Sequence, residues 1–366
     1  MANGGINLFV DVKKIMNFFK KLDFSTKTGK KGIMLPAEVV EYLVRNHRVK
    51  SAHPLVKPMA GGISSDIFLV DDGGEKFVIK RALAQLRSKD AWFADVSRNR
   101  VEREYIEYVS SFLPVAVPRI LFNDDDGGFF AMEYFGSGYE CWKDQLMAGK
   151  CEVSVVESIA RSMASIHSHS WKSEECARQF ATDANFYALR LESYLLTTGS
   201  RHPEFNHFFQ GEARRIAATK LSLMHGDFTP KNILVGSGRE VVLDAEPACY
   251  GDPIFDAAST LNHLLLKSLH FAPNAEPYLN LAVAFWTTYQ REMGSRSEGL
   301  EDRLIHLLPM MLLARVDGKS PAEYLTDERK KNFIRNFARS ELISPPVHFK
   351  DFLAEWRDKL PGLDCA

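Results

Sequence analysis

Apolar positions at residues 37–47 recur at helical spacing (Val39, Val40, Leu43, Val44), and Pro36 in front of them suits a first helical turn. The pattern then shortens. Residues 56–59 and 66–70 are brief β-prone runs separated by the turn Ala60-Gly-Gly-Ile-Ser-Ser65. Asp71-Asp-Gly-Gly74 is a hairpin signal, and Lys76-Phe-Val-Ile-Lys80 is the returning strand. Helical spacing resumes over residues 97–113 and breaks at Pro114 and Pro118. Residues 119–122 and 129–134 form a further strand pair around the turn Asp124-Asp-Asp-Gly-Gly128. Beyond Gly136 the chain is mostly helical, apart from a compact segment at 221–256. This order predicts an α+β fold of two lobes: a small N-terminal lobe with an antiparallel sheet plus helix, then a larger, mainly helical C-terminal lobe.

Residues 1–36 stand apart. Leu8, Phe9, Val10, Phe18 and Phe19 alternate with Lys13, Lys14, Lys20 and Lys21. They predict an accessory helix packed on the body, with a membrane-surface helix as the alternative. Residues 23–35 are a polar, glycine-containing linker. The expected division is therefore 1–36 as extension and linker, 37–135 as the small lobe and 136–366 as the large one.

Composition narrows the class. The chain has 366 residues, 45% hydrophobic and 25% charged, with a formal net charge of −1. That charge gives no reason to expect nucleic acid or an anionic membrane as partner. No apolar run approaches the roughly 20 residues of a membrane span. The N-terminus lacks a signal-peptide layout, so the expected location is cytoplasmic. Five scattered cysteines without CxxC spacing point to free thiols in a reducing compartment and away from a zinc site.

The chemistry concentrates in Leu223-Met-His-Gly-Asp-Phe-Thr-Pro-Lys-Asn-Ile-Leu-Val235. A hairpin follows, turning at Gly236-Ser-Gly238 and returning through Glu240-Val-Val-Leu243 to Asp244-Ala245-Glu246. Its geometry brings Asn232, before the first strand, near Asp244, after the second. Asp227 lies on the same loop as Asn232. These residue types suit phosphoryl transfer to an alcohol, which needs charge neutralisation on phosphates and a positioned nucleophile. Asp227 is the candidate base, and Asn232 and Asp244 are candidate oxygen ligands for Mg2+. Glu246 is a candidate second magnesium ligand, directly or through water.

The run His225-Gly-Asp-Phe-Thr-Pro-Lys-Asn232 followed by Asp244-Ala-Glu246 resembles the aminoglycoside phosphotransferase superfamily, which includes choline kinase and methylthioribose kinase. The Asp-x-Glu form with Tyr250-Gly251 is similar to methylthioribose kinase, and 243–256 also resembles bacterial phosphotransferases of unassigned substrate. The resemblance spans roughly residues 37–345. It implies a protein-kinase-like fold, ATP and Mg2+ as cofactors, and a small-molecule alcohol as acceptor. It also implies that Asp256 anchors the catalytic loop. His225 is expected to hold that loop by hydrogen bonding rather than to carry a proton.

No GxxxxGK[ST] is present, so a P-loop is excluded. The phosphate cradle is expected at Gly61, Gly62, Ser64 and Ser65, where glycines allow close backbone approach and hydroxyls can donate. Lys80 ends an apolar strand and resembles the kinase lysine that contacts the α- and β-phosphates. Glu102 matches its pairing glutamate, since Glu104 points about 200° away around the same helix. Met132, Glu133 and Phe135 form the expected interlobe linker beside the adenine.

The acceptor side is expected in the large lobe, with Arg190, His263 and Arg315 as candidate contacts. Asp244 is followed by Gly251-Asp252-Pro253 with no room for the long docking loop of protein kinases, so a small molecule is favoured over a protein. The candidate activities are a metabolite kinase acting on a sugar-like molecule or amino alcohol, an antibiotic-inactivating kinase, and a catalytically silent nucleotide-binding module.

Overall fold

The computed structural model describes residues 36–59, 64–87 and 94–360. The apolar–lysine segment at 8–19, the linker at 23–35, Gly61, Gly62 and Cys365 lie outside them. The fold is bilobal, with an antiparallel sheet and helices in the N-terminal lobe and a larger helical C-terminal lobe.

In the small lobe, α1 (Pro36–Arg45) precedes a five-stranded antiparallel sheet in the order β1-β2-β3-β5-β4. The strands are β1 (Leu55–Pro58), β2 (Ser65–Asp72), β3 (Glu75–Ala82), β4 (Ile120–Asp124) and β5 (Phe129–Glu133). Strand alternation explains how β3 serves two cores. Phe77 and Ile79 pack with Val39 and Leu43 of α1 and with Phe68, Val70 and Phe129. Val78, on the opposite face, joins Phe130 and Met132 in the large core that continues into the C-terminal lobe. Lys80 follows Val78 by two residues and so shares its face, toward α2 (Arg98–Ser110).

The large lobe is built around α4 (Ile254–His270), which is buried at every residue from Ile254 to Leu269. It is surrounded by α3 (Val153–His169), α5 (Glu276–Met293), α6 (Leu300–Asp317), α7 (Glu328–Ile343) and α8 (Phe349–Lys359). None of the described helices is long and apolar enough to cross a membrane.

Two small sheets set the geometry of the 221–256 segment. Strands β7 (Ser222–Met224) and β10 (Cys249–Gly251) pair with Leu223 opposite Tyr250, closing residues 225–248 into one loop. Inside it, β8 (Ile233–Gly236) and β9 (Arg239–Val242) form the expected hairpin. A third strand, β6 (Tyr139–Cys141), pairs with β8. Residues beyond Gly136 were expected to be mostly helical; a three-residue strand is too short to display a period of two.

Candidate active site

The loop between β7 and β8 is held from below by Asp256, at the start of α4. Its carboxylate accepts the backbone N–H of His225 at 2.7 Å and of Gly226 at 2.8 Å. His167 reaches the same carboxylate at 3.3 Å through Nε2. The His225 ring closes the loop from inside. Nδ1 accepts the N–H of Asp227 at 3.1 Å, so Nε2 carries the proton and donates to the Leu243 carbonyl at 3.1 Å. Burial lowers the His225 pKa despite the nearby Asp256 and Asp227, which keeps the ring neutral. His225 is thus a fastener between the loop and the end of the hairpin.

Gly226 has φ +77°, and a Cβ there would sit 2.8 Å from the Pro247 carbonyl oxygen and 2.9 Å from its Cβ. The first obstacle is backbone and cannot swing aside. Gly226→Ala is expected to lower stability by about 2–5 kcal/mol from left-handed strain plus overpacking, measured by urea unfolding.

Asp227 is buried, at 4% exposure, and surrounded by donors. Asn232 donates to it at 2.8 Å, and Arg190 and Lys231 each approach its carboxylate at 3.0 Å. Arg190 also donates to the Gly226 carbonyl at 2.6 Å. Burial pushes the Asp227 carboxyl up, but Arg190 and Lys231 outweigh it and hold the group well below the usual carboxylate range. At the hairpin's base, Leu243 N–H donates to the Asn232 carbonyl at 2.8 Å, which puts Asp244 beside Asn232 in the chain fold. Asp244 has φ +69°, a left-handed conformation that is uncommon for a residue with a side chain.

Above this loop, Lys80 joins the two lobes. Its ammonium is 2.6 Å from Glu102, in ion-pair contact with Asp244 and 3.6 Å from Glu246. Burial opposes the Lys80 charge, but Asp244, Glu102 and Glu246 together raise its pKa, so it stays protonated. Glu104 instead points away and pairs with Arg100. Glu102, Asp244 and Glu246 each present an oxygen within 4.8 Å of the others, a set that could hold a divalent ion.

Glu246 is pinned by its neighbours. Ser65 donates to it at 2.5 Å and Arg98 meets it at 3.0 Å. The Ser65 hydroxyl is therefore turned toward Glu246, while the Ser64 carbonyl accepts from Arg98 at 2.7 Å. Arg98 is fully buried and also donates to the carbonyls of Leu83, Ala94 and Asp95, so it ties β2, β3 and α2 to the acidic segment. Sequence reasoning passed over Arg98. The available signal was its spacing of four residues from Glu102 on one helix face. At the end of β5, the Glu133 N–H is spent on the Arg119 carbonyl at 2.9 Å, and the Phe135 ring lies 5.2 Å under the Arg239 guanidinium. Met132 is buried beneath.

A family model described as the phosphotransferase enzyme family matches residues 55–293. The chain belongs to this family. Among its relatives, the chain is 24% identical over 292 residues to methylthioribose kinase of Yersinia pseudotuberculosis, covering 69% of this chain and 72% of that protein. Against methylthioribose kinase of Pectobacterium carotovorum it is 22% identical over 261 residues, covering 63% of this chain and 65% of the other. The ethanolamine kinase of Plasmodium vivax shares the fold with a TM-score of 0.50 at 12% identity, over 98% of this chain and 95% of that one.

In this phosphotransferase-family chain, the three residues expected on the acceptor side come together. Arg190, His263 and Arg315 line one small pocket, with about 10 Å3 free, and Asp227 is at its wall. They arrive from the π-helical turn Tyr187–Leu196, from α4 and from α6. Tyr194, Thr229 and Asn262 line the same space. Tyr194, which the sequence did not single out, lies four residues beyond Arg190 on a helix whose π register the sequence does not announce.

Proposed function

We propose that the chain transfers the γ-phosphate of ATP to a hydroxyl of a small polar metabolite. The observation that supports this most is the position of Asp227: an ionised, buried carboxylate at the wall of a cavity, on the loop that hairpin β8–β9 connects to Asp244 and Lys80. Asp227 orients the acceptor hydroxyl and accepts its proton. The hydroxyl oxygen forms the new bond to the γ-phosphorus. The bond to the β–γ bridging oxygen breaks, and ADP leaves with its electron pair. Lys80, oriented by Glu102, contacts the α- and β-phosphates. The strand end at Met132, Glu133 and Phe135 receives the adenine, with the Glu133 carbonyl and the Phe135 backbone as the groups left to pair with it.

The oxygens available suit magnesium. Asn232 turns its NH2 toward Asp227, which leaves its carbonyl oxygen facing away, and Asp244 is partly exposed with only one oxygen on Lys80. Magnesium held there would neutralise charge on the phosphates. Glu246, held by Arg98 and Ser65, suits contact through water rather than direct ligation.

The test is ADP release from ATP over a library of polyols, sugars including methylthioribose, amino alcohols, hydroxy acids and aminoglycosides. The expected result is release that needs both an acceptor and Mg2+ and stops with EDTA. Absence of release across the whole library would leave a nucleotide-binding module; best turnover of an aminoglycoside would make it an antibiotic kinase.

A further inference from the structure

The cavity beside Asp227 holds more positive charge than its walls neutralise. Asp227 is already paired with both Arg190 and Lys231. Arg315, only 8% exposed, forms no ion pair with a carboxylate among the described residues. Its hydrogen bonds there all leave from Nη1, to the Tyr194 hydroxyl at 3.2 Å and to the carbonyl and hydroxyl of Ser320. Its Nε is buried with no partner. The carboxylate whose field it shares, Glu323, is engaged by Lys143. A buried guanidinium without a counter-ion is costly, and its planar edge matches a carboxylate or phosphate.

Two further buried polar atoms in the same wall, Thr229 Oγ1 and Asn262 Oδ1, also lack partners. Native interiors rarely leave such groups unmet, so their convergence marks a polar ligand site. The surrounding field agrees. Burial lowers the His263 pKa well below its ordinary value, with Arg315 and Lys267 pushing the same way. Lys267, one turn further along α4, is brought down to about 7 by burial, Lys143 and Arg315.

Building on the kinase reading above, we propose that the acceptor alcohol carries an anionic group, a carboxylate or a phosphate, that docks on the unpartnered Nε edge of Arg315 while its hydroxyl meets Asp227. Thr229 and Asn262 bind the remaining polar substituents. About 10 Å3 is free between these side chains, room for about one water, so docking of the acceptor requires the lining side chains to part. Cationic acceptors are disfavoured by the like charges of Arg190, Lys231 and Arg315.

The experiment uses matched acceptors with ATP and Mg2+: glycerol, glycerate, glycerol 3-phosphate and 3-amino-1,2-propanediol, and glucose, gluconate, glucose 6-phosphate and glucosamine. The best acceptor is expected to be an acid, with kcat/KM at least tenfold above its neutral partner; the carboxylate and phosphate arms separate the two sources. Arg315→Gln is expected to raise the acceptor KM about tenfold to a hundredfold with the ATP KM unchanged, which also shows that the variant folds. Arg315→Lys should retain part of the preference. Turnover that is best with a neutral or cationic acceptor overturns this inference alone. No turnover with any acceptor removes the kinase reading and this inference with it. An acid preference that survives Arg315→Gln also overturns it.

Discussion

Asp227→Asn is expected to reduce turnover about a hundredfold to ten-thousandfold while ATP with Mg2+ still raises the melting temperature. The substitution keeps the shape and removes the charge. Arg190, which is buried, then faces Lys231 across a neutral amide. Breaking a buried ion pair this way costs about 3–5 kcal/mol, so the variant should also melt lower. The pH dependence separates the two effects. The folded Asp227 carboxyl is held below its unfolded value of about 3.9. A depressed pKa stabilises the fold fully above that unfolded value, and the contribution is lost as pH falls toward the folded pKa. The gap in melting temperature between wild type and variant should be constant above about pH 5 and narrow below about pH 4. A gap unchanged down to pH 3 would mean that Asp227 is not held ionised by its neighbours. Turnover equal to wild type would remove Asp227 from the chemistry.

The sequence disclosed the elements whose patterns are long enough to repeat. The two hairpins, α1, α2 and the 225–246 segment were legible because turn residues, strand alternation and helical spacing agreed there. The pairing of Lys80 with Glu102 was legible from helix geometry, and the structure gives it a distance of 2.6 Å. What stayed hidden depends on long-range pairing. Strands β6, β7 and β10 have three residues each, and no local pattern says that Leu223 will face Tyr250. Arg98 stayed hidden because an arginine among Arg98, Arg100 and Arg103 has the composition of a solvated surface. Only the fold shows that Arg100 and Arg103 pair outward with Glu104 and Glu107 while Arg98 is enclosed. The acceptor side was legible as residue types and not as a place. Arg190, His263 and Arg315 are separated by 73 and 52 positions in the chain, and their convergence follows from how α4 and α6 pack.

Arg98 also changes the meaning of the acidic segment. Two carboxylates two residues apart, Asp244 and Glu246, look equivalent as metal ligands in the sequence. In the fold Glu246 is enclosed by Ser65 and Arg98, while Asp244 stays partly exposed. Both carboxylates reach the small lobe, Glu246 through Ser65 and Arg98 and Asp244 through Lys80, but Glu246 has no exposed edge. The same contacts couple lobe position to site geometry, since Glu246 and Asp244 belong to one tripeptide and Ser65, Lys80 and Arg98 all come from the small lobe.

Lys80→Met tests that coupling most severely. It removes the cation shared by Glu102, Asp244 and Glu246 and keeps the length of the side chain. Arg98 then remains as the ion-pair partner of Glu246, and Glu102 keeps none of the ion pairs seen among the described residues. The expected loss is about 3–5 kcal/mol of stability and about tenfold to a hundredfold in ATP affinity, the value of a charge-assisted contact to phosphate. The pH dependence should have the same sign as that of Asp227→Asn, the gap to wild type widening as pH rises, but in a higher window. Burial already pushes the Glu102 carboxyl up, Lys80 pulls it down, and Asp244 and Glu246 push it up again. Without the ammonium it titrates higher still. A carboxyl whose folded pKa is raised favours the fold below its unfolded value of about 4.3, and that support disappears as pH rises through the folded pKa. The wild-type Glu102 pKa is already raised to about 8, so both proteins lose this support alike up to that pH, and the variant should fall further behind above about pH 8. Adding Glu102→Gln removes the carboxyl that has lost its ammonium, so the double variant should recover part of the stability lost at high pH, by an interaction energy of about 0.5–3 kcal/mol. Strict additivity of the two substitutions would show that Lys80 and Glu102 do not depend on each other.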